Sequence, residues 1–203
     1  MKKVLRLISS PRAEASLSIK LGNAVIEKIK EKYPDSSIKQ RDLTKNPFPH
    51  IDEVLINAFF TPTEKLSKEQ SEAIKLSDEA IAELQEADII VIDTPMYNFS
   101  IPSTLKTYLD HIVRRGVTFT GVVVGNETKI EGLLKNKKVY LAFSSSGIYS
   151  EGVLQSYDFS VPLMKAVLGW MGMTDVTAFR AEGIRFVGEE IAFQKGIESI
   201  AID

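Results

Sequence analysis

The chain has 203 residues, 44% of them hydrophobic and 26% charged, with a formal net charge of −2. That length fits one domain, 1–203, with a sizeable core, and the near-neutral balance argues against a general affinity for nucleic acid or an anionic membrane. The absence of cysteine excludes disulfides, thiolate catalysis, Cys-ligated zinc and iron–sulfur clusters. His50 and His111 are the only histidines, so a His-rich metal site is not available and no metal site is expected.

Met1-Lys2-Lys3-Val4-Leu5 imitates the charged start of a secretory signal, but the apolar run ends by Ser9-Ser10-Pro11, too short for a signal h-region. No stretch approaches the roughly 20 apolar residues of a membrane span. A cytoplasmic location is expected.

Val4 to Ile8 reads as a short, largely buried strand. A small polar segment, Ser9 to Ser16, leads to a helix whose Leu21, Val25 and Ile29 lie four apart on one face. Ser16 or Ser18 is placed to cap it, and it ends before Pro34. Ser37 to Leu43 reads as a second strand. After Asn46-Pro47-Phe48-Pro49, residues 51 to 66 offer at most a short helix around Val54, Leu55 and Ala58. Ser67-Lys68-Glu69-Gln70 has the capping-box pattern and opens a stronger helix, which leads into a third strand, Ile89 to Ile92.

Pro95-Met96-Tyr97-Asn98-Phe99-Ser100-Ile101-Pro102 follows, with Pro102 suited to the first turn of a helix over 103–115 that Gly116 stops. Val117 to Leu134 has no clear period and three glycines, the mark of a hairpin or long excursion. Val139 to Phe143 reads as a fourth strand, residues 156 to 171 as a helix, Val176 to Phe179 as a fifth strand, and the last helix starts near Glu189. Five strands alternating with five helices predict an α/β fold: a parallel sheet with right-handed crossovers, helices on both faces, and the flavodoxin-like order 2-1-3-4-5.

In that order the switch point lies between strands 1 and 3, where three strand-end loops meet: 9–18, 95–102 and 144–149. The first offers Ser9, Ser10, Ser16 and Ser18 at a helix N-terminus, which suits a phosphate, with Arg12 as added charge; helix-capping serines account for the same pattern. In the second, Tyr97 and Phe99 are apolar walls and Asn98 a donor–acceptor, a slot for a flat heteroaromatic ring or simply core aromatics beside a turn. Ser144 to Gly147 are small enough for backbone N–H groups to approach a ligand edge. Phosphate at one loop and a flat ring at two others describe a mononucleotide such as FMN.

His111 reads as structural, and His50 has no metal-ligand pattern around it. Asp93 reads as a hydrogen-bonded strand-end residue, and Trp170, Met171 and Met173 as core or interface. No Gly-x-Gly-x-x-Gly occurs, so no separate NAD fingerprint is visible.

Residues 95–106, continuing through Tyr108-Leu109-Asp110 to Gly116-Val117-Thr118-Phe119, resemble the bacterial FMN-dependent NADH:quinone oxidoreductases, also called azoreductases. Ser9-Ser10 with Ser16-Leu17-Ser18, Arg41-Asp42-Leu43, Gly169-Trp170-Met171-Gly172 and Ala181-Glu182-Gly183 extend the resemblance over essentially the whole chain. It implies that Ser10, Ser16, Leu17 and Ser18 hold the FMN phosphate, that Met96, Tyr97, Asn98 and Phe99 line the ring, and that Ser144, Ser145, Ser146 and Gly147 meet its polar edge. It also implies a homodimer with sites at the interface and a ping-pong route, NADH (or NADPH) reducing the flavin and a quinone or azo compound then taking two electrons. No protein residue need act as catalyst, because the cofactor carries the chemistry. Tyr149 and Phe60 are candidates for the substrate wall. Two departures stand out. The third loop lacks the family's usual arginine, with Ser146 in place of a glycine, and the excursion after Phe119 is longer than usual. The alternatives are a flavodoxin-type electron carrier without a substrate of its own, against which the small net charge speaks, and a receiver-type signalling domain, which needs an acidic cluster where Ser9 and Ser10 stand.

Overall fold

A computed structural model describes residues 1–125 and 127–203. Five strands, β1 (Lys3–Ile8), β2 (Ser37–Asp42), β3 (Ile89–Pro95), β6 (Lys138–Ser144) and β7 (Asp175–Ala181), form one parallel sheet in the order β2-β1-β3-β6-β7. Renumbered within the sheet, this is the predicted 2-1-3-4-5. A separate antiparallel hairpin, β4 (Phe119–Val124) with β5 (Glu127–Gly132), occupies the predicted excursion; Asn126 between its strands lies outside the described residues.

The helices are α1 (Leu17–Lys32), α2 (Glu53–Phe60), α3 (Lys68–Glu86), α4 (Ser103–Ile112), α5 (Val161–Trp170), α6 (Ile184–Val187) and α7 (Glu189–Glu198). Every residue of β3 is buried, because helices cover both faces of the sheet, and its side chains alternate between two cores. Ile90 and Ile92 join Leu84 of α3, Leu105 of α4 and Met164 of α5 on one side. Ile89 and Val91 join Leu21 and Val25 of α1 and Ala192 of α7 on the other.

The predicted capping box is present: Gln70 N–H donates to Ser67 Oγ and Ser67 N–H to Gln70 Oε1. The short helix in 51–66 is α2, capped by Asp52, whose carboxylate accepts from Leu55 N–H. Some boundaries differ from expectation for reasons of side-chain hydrogen bonding. The helix predicted over 156–171 is a 3-10 turn, Gly152–Tyr157, followed by α5; Asp158 Oδ1 accepts from the N–H groups of Ser160 and Val161 and restarts the chain there. The helix predicted over 103–115 ends at Ile112, because Thr118 Oγ1 donates to the Ile112 carbonyl at 2.7 Å and accepts from Arg114 N–H. Pro102 stands just outside that helix, at its N-cap. The single-turn α6, after Gly183 at φ 78°, has no periodic signal in the sequence. Among the described residues no helix is long and apolar enough to cross a membrane.

Candidate functional site

The carboxyl ends of β1, β3 and β6 lie side by side, so the loops that leave them converge. Ser9 continues β1 and is held against its neighbour strand by two bonds, from its N–H and its Oγ, to the Asp93 carbonyl. Beneath this loop Arg6 donates to Asp93 Oδ2 through Nε (2.9 Å) and Nη2 (2.6 Å), and Nη2 also reaches the Ile19 carbonyl in the first turn of α1. Asp93 is therefore half of a buried ion pair, and not only a strand-end acceptor. Burial pushes its carboxyl up to about 7, with the Arg6 guanidinium pulling the other way. α1 passes directly over this pair at Gly22, where a Cβ would lie 2.0 Å from Asp93 Oδ1.

At the start of α1 the N-cap is Ser16, but no side chain caps the helix. Ser16 Oγ pairs with Ser18 Oγ at 3.0 Å instead, both residues being buried. The expected capping role is thus not taken, and the first-turn N–H groups and the positive end of the helix dipole stay open to an anion.

The second loop is a tight turn. Tyr97 and Ser100 exchange both backbone hydrogen bonds (2.8 and 3.0 Å), and the central residues Asn98 and Phe99 have φ of 47° and 70°. Two left-handed residues between paired neighbours make a type I′ turn, costly for phenylalanine. The turn projects Asn98 and Phe99 outward, with Phe99 44% exposed. Met96 N–H donates to the Ser144 carbonyl at 2.8 Å, tying this loop to the third. In that loop Ser145 Oγ donates to the Gly147 carbonyl. At Gly147 a Cβ would lie 2.9 Å from the Tyr149 ring, so any side chain there would require that ring to shift.

The three loops enclose a cleft of about 300 Å³. Ser10, Ser16 and Leu17 line it from the first loop, Met96 and Tyr97 from the second, and Ser144, Ser145 and Ser146 from the third. Ser18, buried and bonded to Ser16, does not line it, nor do Asn98, Phe99, Gly147 and Tyr149; Phe99 and Tyr149 pack edge to face at 6.3 Å. Phe60, at the end of α2 and 74% exposed, does not line the cleft. Arg12 lines it, as its sequence position suggested. Ile184 and Glu189 also line it and were missed; only the packing of α6 and α7 brings them there, and Glu189 pairs with Lys20 at 2.9 Å.

A wider cleft of about 410 Å³ lies at the amino ends of the strands, but its Lys138 is paired with Asp175 and Asp203 and its Lys137 caps the carbonyls of Gln85 and Ala87. In an open α/β sheet the carboxyl-end cleft is the ligand site. His111 is structural as expected: fully buried, with Nε2 against the Pro49 carbonyl and its ring beside Phe48. Met171 and Met173 are core, and Trp170 packs against Phe119. Among the described residues no group of acidic and histidine side chains could hold a metal.

A family model described as flavodoxin-like fold matches residues 2–201. The FMN-dependent NADH:quinone oxidoreductase of Herminiimonas arsenicoxydans is 44% identical over 191 residues, 94% of this chain and 92% of that protein. This chain belongs to the FMN-dependent NADH:quinone oxidoreductase family. Another member, from Hydrogenovibrio crunogenus, is 42% identical over 98% of this chain and 95% of its own length. Among solved structures, the azoreductase of Bacillus anthracis str. Sterne superposes with a TM-score of 0.88 at 30% identity, covering 98% of this chain and 96% of that one. An FMN-dependent NADH-azoreductase of Bacillus anthracis str. Ames Ancestor, solved in complex with FMN, gives 0.86 at 27% identity and covers 98% and 95%. The resemblance carried by residues 95–119 is therefore family membership, and the five-stranded order is the family's fold.

Proposed function

We propose that this chain is an FMN-dependent NADH:quinone oxidoreductase with azoreductase activity, acting as one unit over residues 1–203. The observation that carries the reading is the uncapped N-terminus of α1 opening beside two loops joined by the Met96–Ser144 bond. Free first-turn N–H groups with the Ser10, Ser16 and Ser18 hydroxyls near them fit a phosphate. The turn at 97–100 and the small residues 144–147 fit a flat ring beside it, so the residues present suit FMN. FMN, when bound, supplies the two-electron redox chemistry.

The roles of the chain's own residues follow. Ser10, Ser16, Leu17 and Ser18 hold the phosphate; Met96, Tyr97, Asn98 and Phe99 seat the ring; Ser144 to Gly147 face its polar edge and offer hydrogen-bond donors to developing negative charge. NADH and the acceptor use the exposed face of the slot in turn. The balance is NADH plus a proton plus quinone giving NAD⁺ and hydroquinone. The donor needs only transient stacking, which fits the missing dinucleotide fingerprint. Phe99, Tyr157 and Phe159 are exposed beside the site, and a second copy closing over them is the proposed homodimer contact. A cytoplasmic location, where NADH is supplied, completes the proposal.

The test is an absorption spectrum of purified protein with FMN, before and after anaerobic NADH. A bound flavin spectrum that bleaches within seconds, with no partner reductase present, is expected. A protein that takes up no FMN sinks the reading, and one that binds FMN without bleaching is the electron carrier instead.

A further inference from the structure

Between Ser144 and Ser150 the third loop carries no charged side chain, yet it is held by charge that comes from the neighbouring strand. Arg180 of β7 lies across the sheet from Phe143, its guanidinium 5.1 Å over that ring. Its Nη1 donates to Glu182 Oε1 and its Nη2 to Asp158 Oδ2, both at 2.7 Å. The two carboxylates are 7% and 5% exposed. Each also accepts backbone N–H groups. Glu182 takes Tyr149 and Ser150 at 3.3 and 3.2 Å, and Asp158 takes Ser160 and Val161 at 3.0 and 3.1 Å. One cation thus spans two segments, 149–150 and 158–161. The second segment reaches on to the turn at 97–100, since Phe159 N–H donates to the Phe99 carbonyl at 3.0 Å.

The side chains carried by these segments form one aromatic wall, with Phe99 6.3 Å from Tyr149 and 5.6 Å from Tyr157. Without the guanidinium, two nearly buried carboxylates would keep only backbone donors to meet their charge. Loss of the cation would therefore loosen the wall without touching Ser10, Ser16 or Ser18.

We propose that Arg180 is a positioning residue that fixes the Phe99–Tyr149–Tyr157 wall and thereby sets the affinity for flat acceptors. This rests on the reading of the cleft as an FMN and acceptor site. The experiment compares wild type with Arg180→Met in two measurements. Amide hydrogen exchange, which needs no flavin, is expected to quicken at Tyr149, Ser150, Ser160 and Val161. In steady-state assays of the FMN-loaded protein, the KM for a planar quinone is expected to rise about tenfold, with kcat within about threefold and FMN affinity falling by less than the KM rises, since of the ring-seating residues only Phe99 belongs to the wall. Tyr149→Ala should raise KM as well, and the double variant should be no worse than the more affected single one, since both changes act through one wall.

Unchanged exchange, an unchanged KM, or additive effects in the double variant would each overturn the inference. So would a fall in FMN affinity as large as the rise in KM, which marks a merely structural residue. A wild type that takes up no FMN overturns the reading of the cleft, and the exchange data still decide whether the clamp exists. Should Arg180→Met fail to fold, Arg180→Lys decides the matter. It keeps the charge but cannot span both carboxylates, so it is expected to raise KM by about threefold, and wild-type KM in that variant counts against the clamp.

Discussion

Two residues near this cleft are constrained in opposite ways. Gly22 sits in the middle of α1, where glycine costs about 1 kcal/mol relative to alanine. The reason is not visible along the helix: Asp93 lies under it, and the Arg6–Asp93 pair needs the helix backbone close enough for Arg6 to reach the Ile19 carbonyl. Gly22→Ala would improve helix propensity yet is expected to destabilise by about 3 kcal/mol, because its methyl group would meet a buried carboxylate rather than a flexible side-chain end. Urea denaturation of the variant checks the sign; a stability equal to or above wild type would mean that α1 is free to shift. Phe99 is the opposite case. Its left-handed φ is unfavourable, and its side chain is left largely outside the core. Under the proposed function this turn seats the ring, and strained backbone of this kind clusters at such turns.

At the scale of elements, β2 is an edge strand and its polar side chains are used to dock it. Arg41 donates through Nε and Nη2 to the two oxygens of Glu83 in α3, both at 2.7 Å, and Lys39 adds a 3.0 Å ion pair. Burial pushes the Glu83 carboxyl up, but the hydrogen bonds from Arg41 and Lys39 outweigh it and hold the group below the ordinary glutamate range. A carboxyl depressed on folding contributes stability that is present above its unfolded pKa and is lost as pH falls through the folded value. Glu83→Gln is therefore expected to cost about 2 kcal/mol at pH 7, between exposed and fully buried pairs, and less at a second pH taken below the ordinary glutamate range. Denaturation curves at the two pH values test this; an equal loss at both would show that charge is not the cause. Helix beginnings with local caps, such as Ser67 with Gln70, were legible in the sequence. The end of α4 was not, because Thr118, six residues beyond, captures the Ile112 carbonyl.

For the whole molecule, a ligand that seats on α1, the 97–100 turn and the 144–147 loop at once bridges elements from residues 10 to 147. Such a ligand stabilises the folded chain by about 2.7 kcal/mol at 100 times its Kd. FMN is expected to raise the melting temperature, and riboflavin, which lacks the phosphate, to raise it less at equal concentration. Equal shifts would take the phosphate away from α1. The convergence of the loops was readable from the strand order alone, since the switch-point rule depends only on topology. The entry of Ile184 and Glu189 into the cleft was not, because α6 has no periodic pattern and α7 is positioned by its packing on β7 and α1.

What the sequence determined by itself is the alternation of apolar strands and amphipathic helices, and hence the parallel sheet, its order and the three loops at its carboxyl edge. These follow from local patterns of side chains, which persist whatever the rest of the chain does. Only the tertiary structure decided which polar groups meet: Arg6 with Asp93, Arg41 with Glu83, and Arg180 with Asp158 and Glu182. Most of these partners are tens of residues apart in sequence, and a charged residue in a strand carries no sign of its partner until the sheet is assembled. The opening at 95–102 is where the two kinds of information join. Its composition marked a slot for a flat ring, and the fold placed the open N-terminus of α1 beside it.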